Sequence, residues 1–380
     1  MTNREARVLH LIEMGVDHPH AVMYRQTIAY HPHIELVGAV DRDPERGAAT
    51  LAAEGFPVPV AASLDELLAQ VQADAVLVTL PNNLTPAAIL DAAAHNLHIF
   101  TEKPAARTAA EFQPVQEAIE SRSLVFTIAY LRRFSAIAER LRQIVADGLI
   151  GDLVSAQITF STLNVAQRNA AYLRGSRPEL LMSGEDTEKP SSVQTERNWM
   201  FDREQAGGGI LHWLGVHWID LLRFVSGDDV AGVQASMTTR TTVPIDVEDT
   251  ASLILDFAGG MQAALTCAYV LDRGPDQTSI AFYGTKGWLH WPGSGADITV
   301  FSSDPAFRQA PKQVQHFEAD VMPGYSGALG YEIFEQFRRA VLFGDALPVK
   351  VSDAMAVLEI LDAAQQSAQE HRRISIEARG

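Results

Sequence analysis

Residues 8–30 read VLHLIEMGVDHPHAVMYRQTIAY, and this stretch is the strongest indication of the fold. An apolar run, Val8–Ile12, leads into a short polar turn, and apolar residues at helical spacing follow over Ala21–Tyr30. A strand, a tight turn and a helix in this order form the first unit of a dinucleotide-binding sheet, where a glycine-rich turn carries the pyrophosphate over the helix N-terminus. Here the turn contains one glycine, Gly15, so the sequence raises the question whether such a site is altered or lost.

The strand–helix alternation continues through the first third of the chain. Further strands are predicted at Glu35–Asp41, Ala75–Leu80, His98–Phe100 and Val125–Tyr130. Helices are predicted between them at Pro44–Glu54, Leu64–Val71, Pro86–His95 and Ala109–Ser121. Runs such as AVLVTL suit strands that are buried on both faces. The pattern therefore predicts an α/β fold with an N-terminal, doubly wound parallel sheet.

The pattern changes after a helix near Ala136–Ala146. Alternating runs separated by turn signals follow from residue 230 to residue 290, which is typical of an antiparallel sheet. We therefore expect a dinucleotide-binding domain over residues 1–131 and a second α/β domain over residues 132–380. A polar stretch at about 163–206 interrupts the second domain, and it is either a functional lid or contact arm or a mobile surface insertion.

Composition narrows the class of protein. Acidic residues outnumber basic ones to give a formal net charge of −17, which disfavours nucleic acid and anionic membranes as partners and favours a small molecule. The one cysteine, Cys267, lies in an apolar run and is expected to be a small buried side chain. No apolar run is long enough for a membrane span and the N-terminus does not resemble a signal peptide, so we expect a cytoplasmic protein.

Glu102-Lys103-Pro104 follows a predicted strand and precedes a predicted helix. Ligands of open parallel sheets bind at these strand ends. A lysine there can lie near a nicotinamide and donate to a substrate oxygen, while the proline after it fixes the local backbone. A surface lysine before a proline is the simpler alternative.

A second candidate stretch, GGGILHWLGVHWIDLLRF, spans Gly207–Phe224. If it is helical from Ile210, then Trp213, His217 and Asp220 lie on one face. A histidine in that position can accept the proton of a substrate alcohol because its ordinary pKa is near neutrality. The alternative is an amphipathic helix that buries a hydrogen-bonded histidine.

Together these motifs resemble the glucose–fructose oxidoreductase, inositol dehydrogenase and MocA (Gfo/Idh/MocA) family. The resemblance rests on the N-terminal strand–turn–helix, VTLPNN at Val78–Asn83, TEKP at Thr101–Pro104 and GGGILHWLGVHWID at Gly207–Asp220. It implies a Rossmann domain followed by an α/β domain with a large, mainly antiparallel sheet that binds substrate and forms homodimers or homotetramers. It also implies an NAD(P)-dependent oxidoreductase that moves a hydride to or from a carbon of a sugar, polyol or related small molecule.

The resemblance assigns roles by position. Lys103 matches the family's EKP lysine, and His217 matches the histidine that accepts the proton; these are the expected catalytic residues. Asp41 matches the acidic residue that binds the adenosine ribose, which favours NAD, whereas Arg42 beside it leaves NADP open. The remaining expected cofactor-binding residues are Gly15, His18, Leu80, Pro81, Asn82 and Glu102. Trp199, Trp213 and Asp220 are the expected substrate-binding residues.

This sequence departs from the family pattern at two places. Trp213 stands where many family dehydrogenases carry an aspartate, four residues before the histidine. That change admits a redox-assisted glycosidase, lyase or epimerase in which NAD stays bound and is regenerated. In the glycine-rich turn, Glu13 and His18 occupy the first and third glycine positions around Gly15. We expect an altered site rather than a lost one, with His18 donating to a phosphate; a non-catalytic ligand-sensing protein is the alternative.

Four smaller expectations concern single groups. The HPH pairs at His18–His20 and His31–His33 are not expected to bind a metal, since no carboxylate or cysteine completes a ligand set. Arg132 and Arg133 are expected to be exposed surface charges rather than residues that line the cleft. Tyr130 is equally compatible with the pocket and the core.

Overall fold

A computed structural model describes residues 6–176, 198–293, 297–318 and 321–377, with the backbone alone over 171–176. Two β-sheets organise these residues. The first is a six-stranded parallel sheet in the order β3-β2-β1-β4-β5-β6. Its strands are β1 (Leu9–Met14), β2 (Ile34–Val40), β3 (Val60–Ala61), β4 (Ala75–Val78), β5 (His98–Thr101) and β6 (Phe126–Ile128).

This sheet is buried on both faces, as its apolar runs require. All four residues of β4 are fully buried. The connecting helices are α1 (Ala21–Tyr30), α2 (Pro44–Ala53), α3 (Leu64–Leu68), α4 (Thr85–Ala94) and α5 (Ala109–Arg122). Side chains that cap helices fix where several of them begin: the Asp43, Ser63 and Thr108 oxygens accept from amides in the first turns of α2, α3 and α5. The predicted doubly wound parallel sheet is confirmed.

The second sheet has nine strands in the order β14-β13-β12-β11-β7-β10-β9-β8-β15. They are β7 (Leu153–Leu163), β8 (Val230–Thr238), β9 (Thr250–Phe257), β10 (Gln262–Leu271), β11 (Gln277–Gly284), β12 (Gly287–Trp291), β13 (Asp297–Ser302), β14 (Lys312–His316) and β15 (Ile374–Ser375). Within the described residues β7 and β10 are its one parallel pair, and every other pair is antiparallel. The predicted mainly antiparallel sheet is confirmed.

Helices of the second half cover one face of this sheet and connect it to the first. They are α6 (Ala136–Ala146), α7 (Val165–Ser176), α8 (Arg203–Ala206), α9 (Val216–Ser226), α10 (Ala328–Phe343) and α11 (Val351–Glu370). Helix α11 packs against both β8 and α5. The Ala109 amide at the start of α5 donates to the Asp362 carboxylate of α11 at 2.9 Å, which joins the two halves of the chain. A domain boundary at residue 131 stays a prediction.

The polar stretch at 163–206 differs from the expected long loop. Helix α7 occupies its first part, and at its end Met200 and Phe201 are buried within a 3₁₀ turn. Residues 177–197 lie outside the described residues, so the choice between a lid and a surface insertion stays open for them. Cys267 is fully buried on β10, as expected. No helix in the described ranges is long and apolar enough to cross a membrane.

Candidate active site

The carboxyl ends of the parallel strands meet the start of α9, and this junction gathers the candidate residues. Glu102 directly follows β5 and is 3 % exposed. Its Oε1 accepts from the Tyr24 hydroxyl and lies 2.8 Å from His20 Nδ1, and its Oε2 accepts from the Lys103 amide at 3.0 Å. The neighbouring His20 and Lys103 hold the pKa of Glu102 well below its ordinary value even though the group is buried. Glu102 is thus an ionised carboxylate whose two oxygens both accept hydrogen bonds from neighbouring residues.

Lys103 is the most deeply buried cation of the site, with 1 % of its surface exposed. Its Nζ donates to the Trp213 carbonyl at 2.9 Å, lies 3.7 Å from the centroid of the Trp213 ring, and is 3.9 Å from Glu102 Oε2. Burial lowers the pKa of Lys103 to about 8. The ammonium therefore has one carbonyl, one aromatic face and one nearby carboxylate to stabilise it, and the alternative of a surface lysine is wrong.

His217 lies in the first turn of α9, after a π-helical turn over Leu211–Gly215. Its Nδ1 is buried, and no hydrogen bond to it occurs within the described ranges. Burial lowers the pKa of His217 well below its ordinary value, and the positive charges of Lys103 and Arg132 lower it further. The imidazole is neutral at pH 7 and its orphaned nitrogen is available to a ligand, which is the state that a general base requires.

Asp220 does not contribute to the junction formed by Glu102, Lys103 and His217. It is fully buried, and its carboxylate accepts from the Arg133 guanidinium at 2.7 to 3.0 Å. Arg133 also donates to Asp353 on α11. The expectation that Asp220 binds substrate is therefore wrong: the carboxylate neutralises a buried arginine. His217 and Asp220 both lie in α9, but the Asp220 carboxylate pairs with an arginine 87 residues away, which local spacing does not reveal.

Arg132 and Arg133 are not surface charges, which corrects a second expectation. Arg133 is 8 % exposed and held in the ion pairs just described. The Arg132 guanidinium lies 3.7 Å from the centroid of the Trp218 ring, and burial lowers the pKa of Arg132 to about 9. Tyr130 is 1 % exposed and packs in the core.

Aromatic rings pack against the two histidines of the β1–α1 turn. His18 lies between Trp199 and Trp213, with ring centroids 5.8 and 5.7 Å away. His20 lies 5.5 Å from Trp213 and 4.7 Å from Tyr325. These contacts bring the two expected substrate-binding tryptophans, Trp199 and Trp213, next to the turn beside which a cofactor would bind. Burial lowers the pKa of His18 to about 3, so this ring is neutral.

The β1–α1 turn keeps the conformation that a dinucleotide site needs. Gly15 has φ +97°, and a Cβ there would lie 2.7 Å from both the Leu80 side chain and the Thr79 carbonyl, so only glycine fits. Glu13, in the first glycine position, points away into the core, where Arg25 of α1 donates to both its oxygens at 2.9 Å. The glutamate therefore presents no charge to a phosphate above the turn.

Asp41 follows β2 and lies beside this turn. Its Oδ2 accepts from the Val16 amide at 3.2 Å and its Oδ1 from the Asp43 amide at 2.9 Å. Each oxygen keeps a lone pair for a ribose hydroxyl. Arg42 is exposed.

The loop after β4 contains the next expected cofactor-binding residues. Leu80 contacts the Gly15 position and Pro81 follows it, both half-buried. Asn82 is 3 % exposed, and its side-chain amide donates to the Ala206 carbonyl at 2.8 Å. Asn82 therefore holds the segment before the three glycines against the parallel sheet.

His18, His20 and Glu102 are also the residues that could hold a metal ion, since one ligand atom from each lies within 4.8 Å of the others. The premise that no carboxylate accompanies the HPH motif is therefore wrong. An incoming divalent cation would have to break the hydrogen bond between His20 and Glu102, and it would meet the ammonium of Lys103.

Sequence reasoning missed the partners that support Glu102. His20 and Tyr24 lie four residues apart at the start of α1, and this spacing places both side chains on one face of the helix. That spacing was a usable signal once α1 had been predicted. The pairing of Arg25 with Glu13 had no local signal, because the two residues belong to different elements.

Comparison with known proteins decides the family. Residues 14–130 match the family model described as "Oxidoreductase family, NAD-binding Rossmann fold", and residues 138–290 match the "GFO/IDH/MocA C-terminal domain". The chain belongs to the Gfo/Idh/MocA family. As a member of this family it is an NAD-binding oxidoreductase, which confirms the resemblance read from its motifs.

Its relatives within the Gfo/Idh/MocA family are distant. Inositol 2-dehydrogenase of Rhizobium meliloti is 24 % identical over 357 residues, which cover 93 % of this chain and 95 % of the relative. The 1,5-anhydro-D-fructose reductase of Ensifer adhaerens is 28 % identical over 255 residues, 67 % of each chain. A levoglucosan dehydrogenase solved with NADH and levoglucosan shares the fold with a TM-score of 0.79 and 19 % identity, covering 98 % of this chain and 100 % of the other.

The residues at the turn fit the NAD that this Gfo/Idh/MocA domain implies. The positive end of helix α1 points at this turn, although the His20 and Ala21 amides already donate to His18 Nδ1 and to the His18 carbonyl. The Asp41 carboxylate beside the same turn provides acceptors for ribose hydroxyls. Because Arg25 pairs with Glu13, the altered glycine pattern places no unpaired charge at the turn.

Proposed function

We propose that this enzyme oxidises or reduces a CH–OH carbon of a sugar or polyol, with Lys103 and His217 as its catalytic residues. One observation carries the proposal. The Lys103 ammonium is bound to the carbonyl of Trp213, four residues before His217, whose buried Nδ1 has no hydrogen-bond partner among the described residues. A cation and a neutral base thus lie at one junction, beside the turn that fits NAD.

The two side chains divide the handling of the hydroxyl group. In the oxidative direction His217 accepts the hydroxyl proton while Lys103 donates a hydrogen bond to the same oxygen and stabilises its developing negative charge. When bound, NAD supplies the nicotinamide that accepts the hydride from the carbon. Glu102 acts through Lys103 and His20 as a positioning residue.

The cofactor-binding roles follow the geometry of the turn and the adjacent strand ends. Gly15, Leu80 and Pro81 form the surface beside the pyrophosphate, His18 closes it, and Asp41 binds the adenosine ribose. An acidic residue in that place favours NAD over NADP because it repels a 2′-phosphate.

The sugar or polyol class is supported by the named activities of the relatives and by the aromatic side chains of this site. Trp199 and Trp213 meet edge to face with centroids 5.7 Å apart. Flat aromatic surfaces of this kind pack well against the C–H faces of a sugar ring.

A substrate screen tests the proposal. The protein, dialysed free of ligand, is incubated with NAD or NADP and a panel of aldoses, polyols and glycosides, and NADH and product are measured separately. NADH formed in proportion to oxidised product supports a dehydrogenase. Product without net NADH would replace it with the redox-assisted lyase, glycosidase or epimerase. The absence of both NAD binding and turnover would overturn the proposal.

We also propose a cytoplasmic homodimer or homotetramer. The outward face of the nine-stranded sheet carries the exposed apolar side chains Ile254, Tyr283 and Phe301. An open sheet face with such residues suits contact with a second copy of the chain. Mass measurement in solution by light scattering tests the oligomer; a monomer at micromolar concentration would contradict it.

A further inference from the structure

Arg132 has an unusual environment for a buried arginine. It lies in the 3₁₀ turn after β6, with its Cζ atom 3.7 Å from the centroid of the Trp218 ring and 5.4 Å from that of Trp291. Its Nε is buried without a hydrogen-bond partner, and across the described ranges no ion pair to the guanidinium occurs. The residue as a whole stays partly exposed. A guanidinium whose Nε is buried and unpaired carries a cost, and a ligand carboxylate would remove it.

The surrounding acidic groups are already engaged. The adjacent Arg133 takes both Asp220 and Asp353. Asp276, whose charge acts on Arg132, accepts from the Thr162 hydroxyl and lies 3.4 Å from Arg168 Nη2. Arg132 is therefore left with aromatic contacts alone.

Arg132 belongs to the same junction as the catalytic pair. Trp218, on which its guanidinium lies, directly follows His217, and the charge of Arg132 acts on His217. Arg168 likewise acts on Lys103 and on His20. Among the described residues, the charges of Lys103 and Arg132 therefore both act on the imidazole that is proposed to accept the hydroxyl proton.

We infer that the substrate is a sugar acid, and that the guanidinium of Arg132 binds its carboxylate. This inference rests on the proposed oxidoreductase function and specifies its substrate class. The Trp218 ring covers the flat face of the guanidinium and fixes its plane, which leaves the N–H edge for a carboxylate in the bidentate geometry that arginine favours. A substrate carboxylate in this position would neutralise the Arg132 guanidinium.

Matched pairs of substrates test the inference. D-Glucuronate and D-glucose, and D-galacturonate and D-galactose, differ by the carboxylate, so each pair isolates its contribution. Binding to the NADH-loaded protein is measured by calorimetry, and turnover with NAD is measured in parallel. At least one acid should bind about 10- to 100-fold more tightly than its neutral counterpart.

Variants then assign the preference to Arg132. Arg132→Gln should remove most of the preference for the acid by raising its KM, with little change in kcat or in NADH affinity, while Arg132→Lys should restore part of it. Arg273→Gln is the matched control, because the Arg273 side chain is 91 % exposed. This control variant should bind and turn over the acid and the neutral sugar as the wild type does.

Two results would overturn the inference. One is equal binding of acid and neutral sugar in every pair; the other is an Arg132→Gln variant that weakens acid and neutral sugar equally. Failure of the proposed function is distinct from both, because it would appear as loss of NADH binding or as the absence of redox turnover with any substrate.

Discussion

The Nζ of Lys103 lies 2.9 Å from the carbonyl oxygen of Trp213 and 3.7 Å from the centroid of its ring. One residue of the helix thus holds the lysine with both its backbone and its side chain. The carbonyl contact survives substitution at position 213, whereas the ring contact does not. The ring of Trp213 therefore contributes to placing Lys103.

The protonation of Lys103 should set the alkaline limit of activity. Burial lowers its pKa to about 8, so the ammonium that donates to the substrate oxygen is lost as the pH rises through that value. We expect kcat/KM for oxidation to fall above about pH 8. Lys103→Met should lower kcat by about 100-fold or more and keep NAD affinity within a few fold. A rate that keeps rising through pH 8 and beyond in the wild type would contradict a role for the ammonium.

The Asp41 carboxylate should determine the choice of cofactor. Asp41→Asn keeps an acceptor for the Val16 amide but removes the charge that repels a 2′-phosphate. We expect the ratio of the NADP and NAD dissociation constants to fall by about tenfold, or about 1.4 kcal/mol. Calorimetric titration of both cofactors measures it. Asp43→Asn, which removes a nearby exposed carboxylate, is the control; an equal effect there would show that general charge and not Asp41 discriminates.

Restoring the first glycine of the turn should harm this protein. Glu13→Gly removes one of the two carboxylates that pair with the buried Arg25, so we expect the free energy of unfolding to fall by about 3 kcal/mol and NAD affinity not to improve. Urea denaturation measures the loss. Glu35→Gly, at an exposed position of β2, corrects for glycine in a strand. Equal stability of the two variants would show that the Glu13–Arg25 pair contributes nothing.

Asp220 should behave as a structural residue. Asp220→Asn weakens the buried pair with Arg133, and we expect unfolding to become easier by about 3 kcal/mol while the KM of the folded enzyme stays unchanged. Asp272→Asn is the control because its side chain is 72 % exposed. Wild-type stability together with a raised KM would return Asp220 to the substrate site.

Most of the parallel sheet was predictable because strands such as β1, β4 and β6 are buried on both faces, and such strands are visible as apolar runs. Strand β14 was not predictable, since four of its five residues are polar, and β3 and β15 have only two residues each. Short strands take their structure from a neighbour and not from local sequence.

The site was predictable where a motif marks a strand end, as at Lys103, and where a histidine lies in a recognisable helix, as at His217. It was not predictable where long-range pairing decides the role of a residue. Asp220 and Arg133 are 87 residues apart, and nothing near either one indicates that they neutralise each other. The same holds for Glu102, whose carboxylate meets His20 from 82 residues away.

The role of His217 as the acceptor of the hydroxyl proton can be measured by single-turnover NADH formation in the His217→Ala variant. The wild-type imidazole is neutral at pH 7 because burial and the charges of Lys103 and Arg132 lower its pKa well below the ordinary value. We expect a rate about 100-fold or more below wild type, unchanged NAD affinity, and partial recovery when free imidazole is added. A variant that forms NADH at the wild-type rate would show that His217 does not accept the proton.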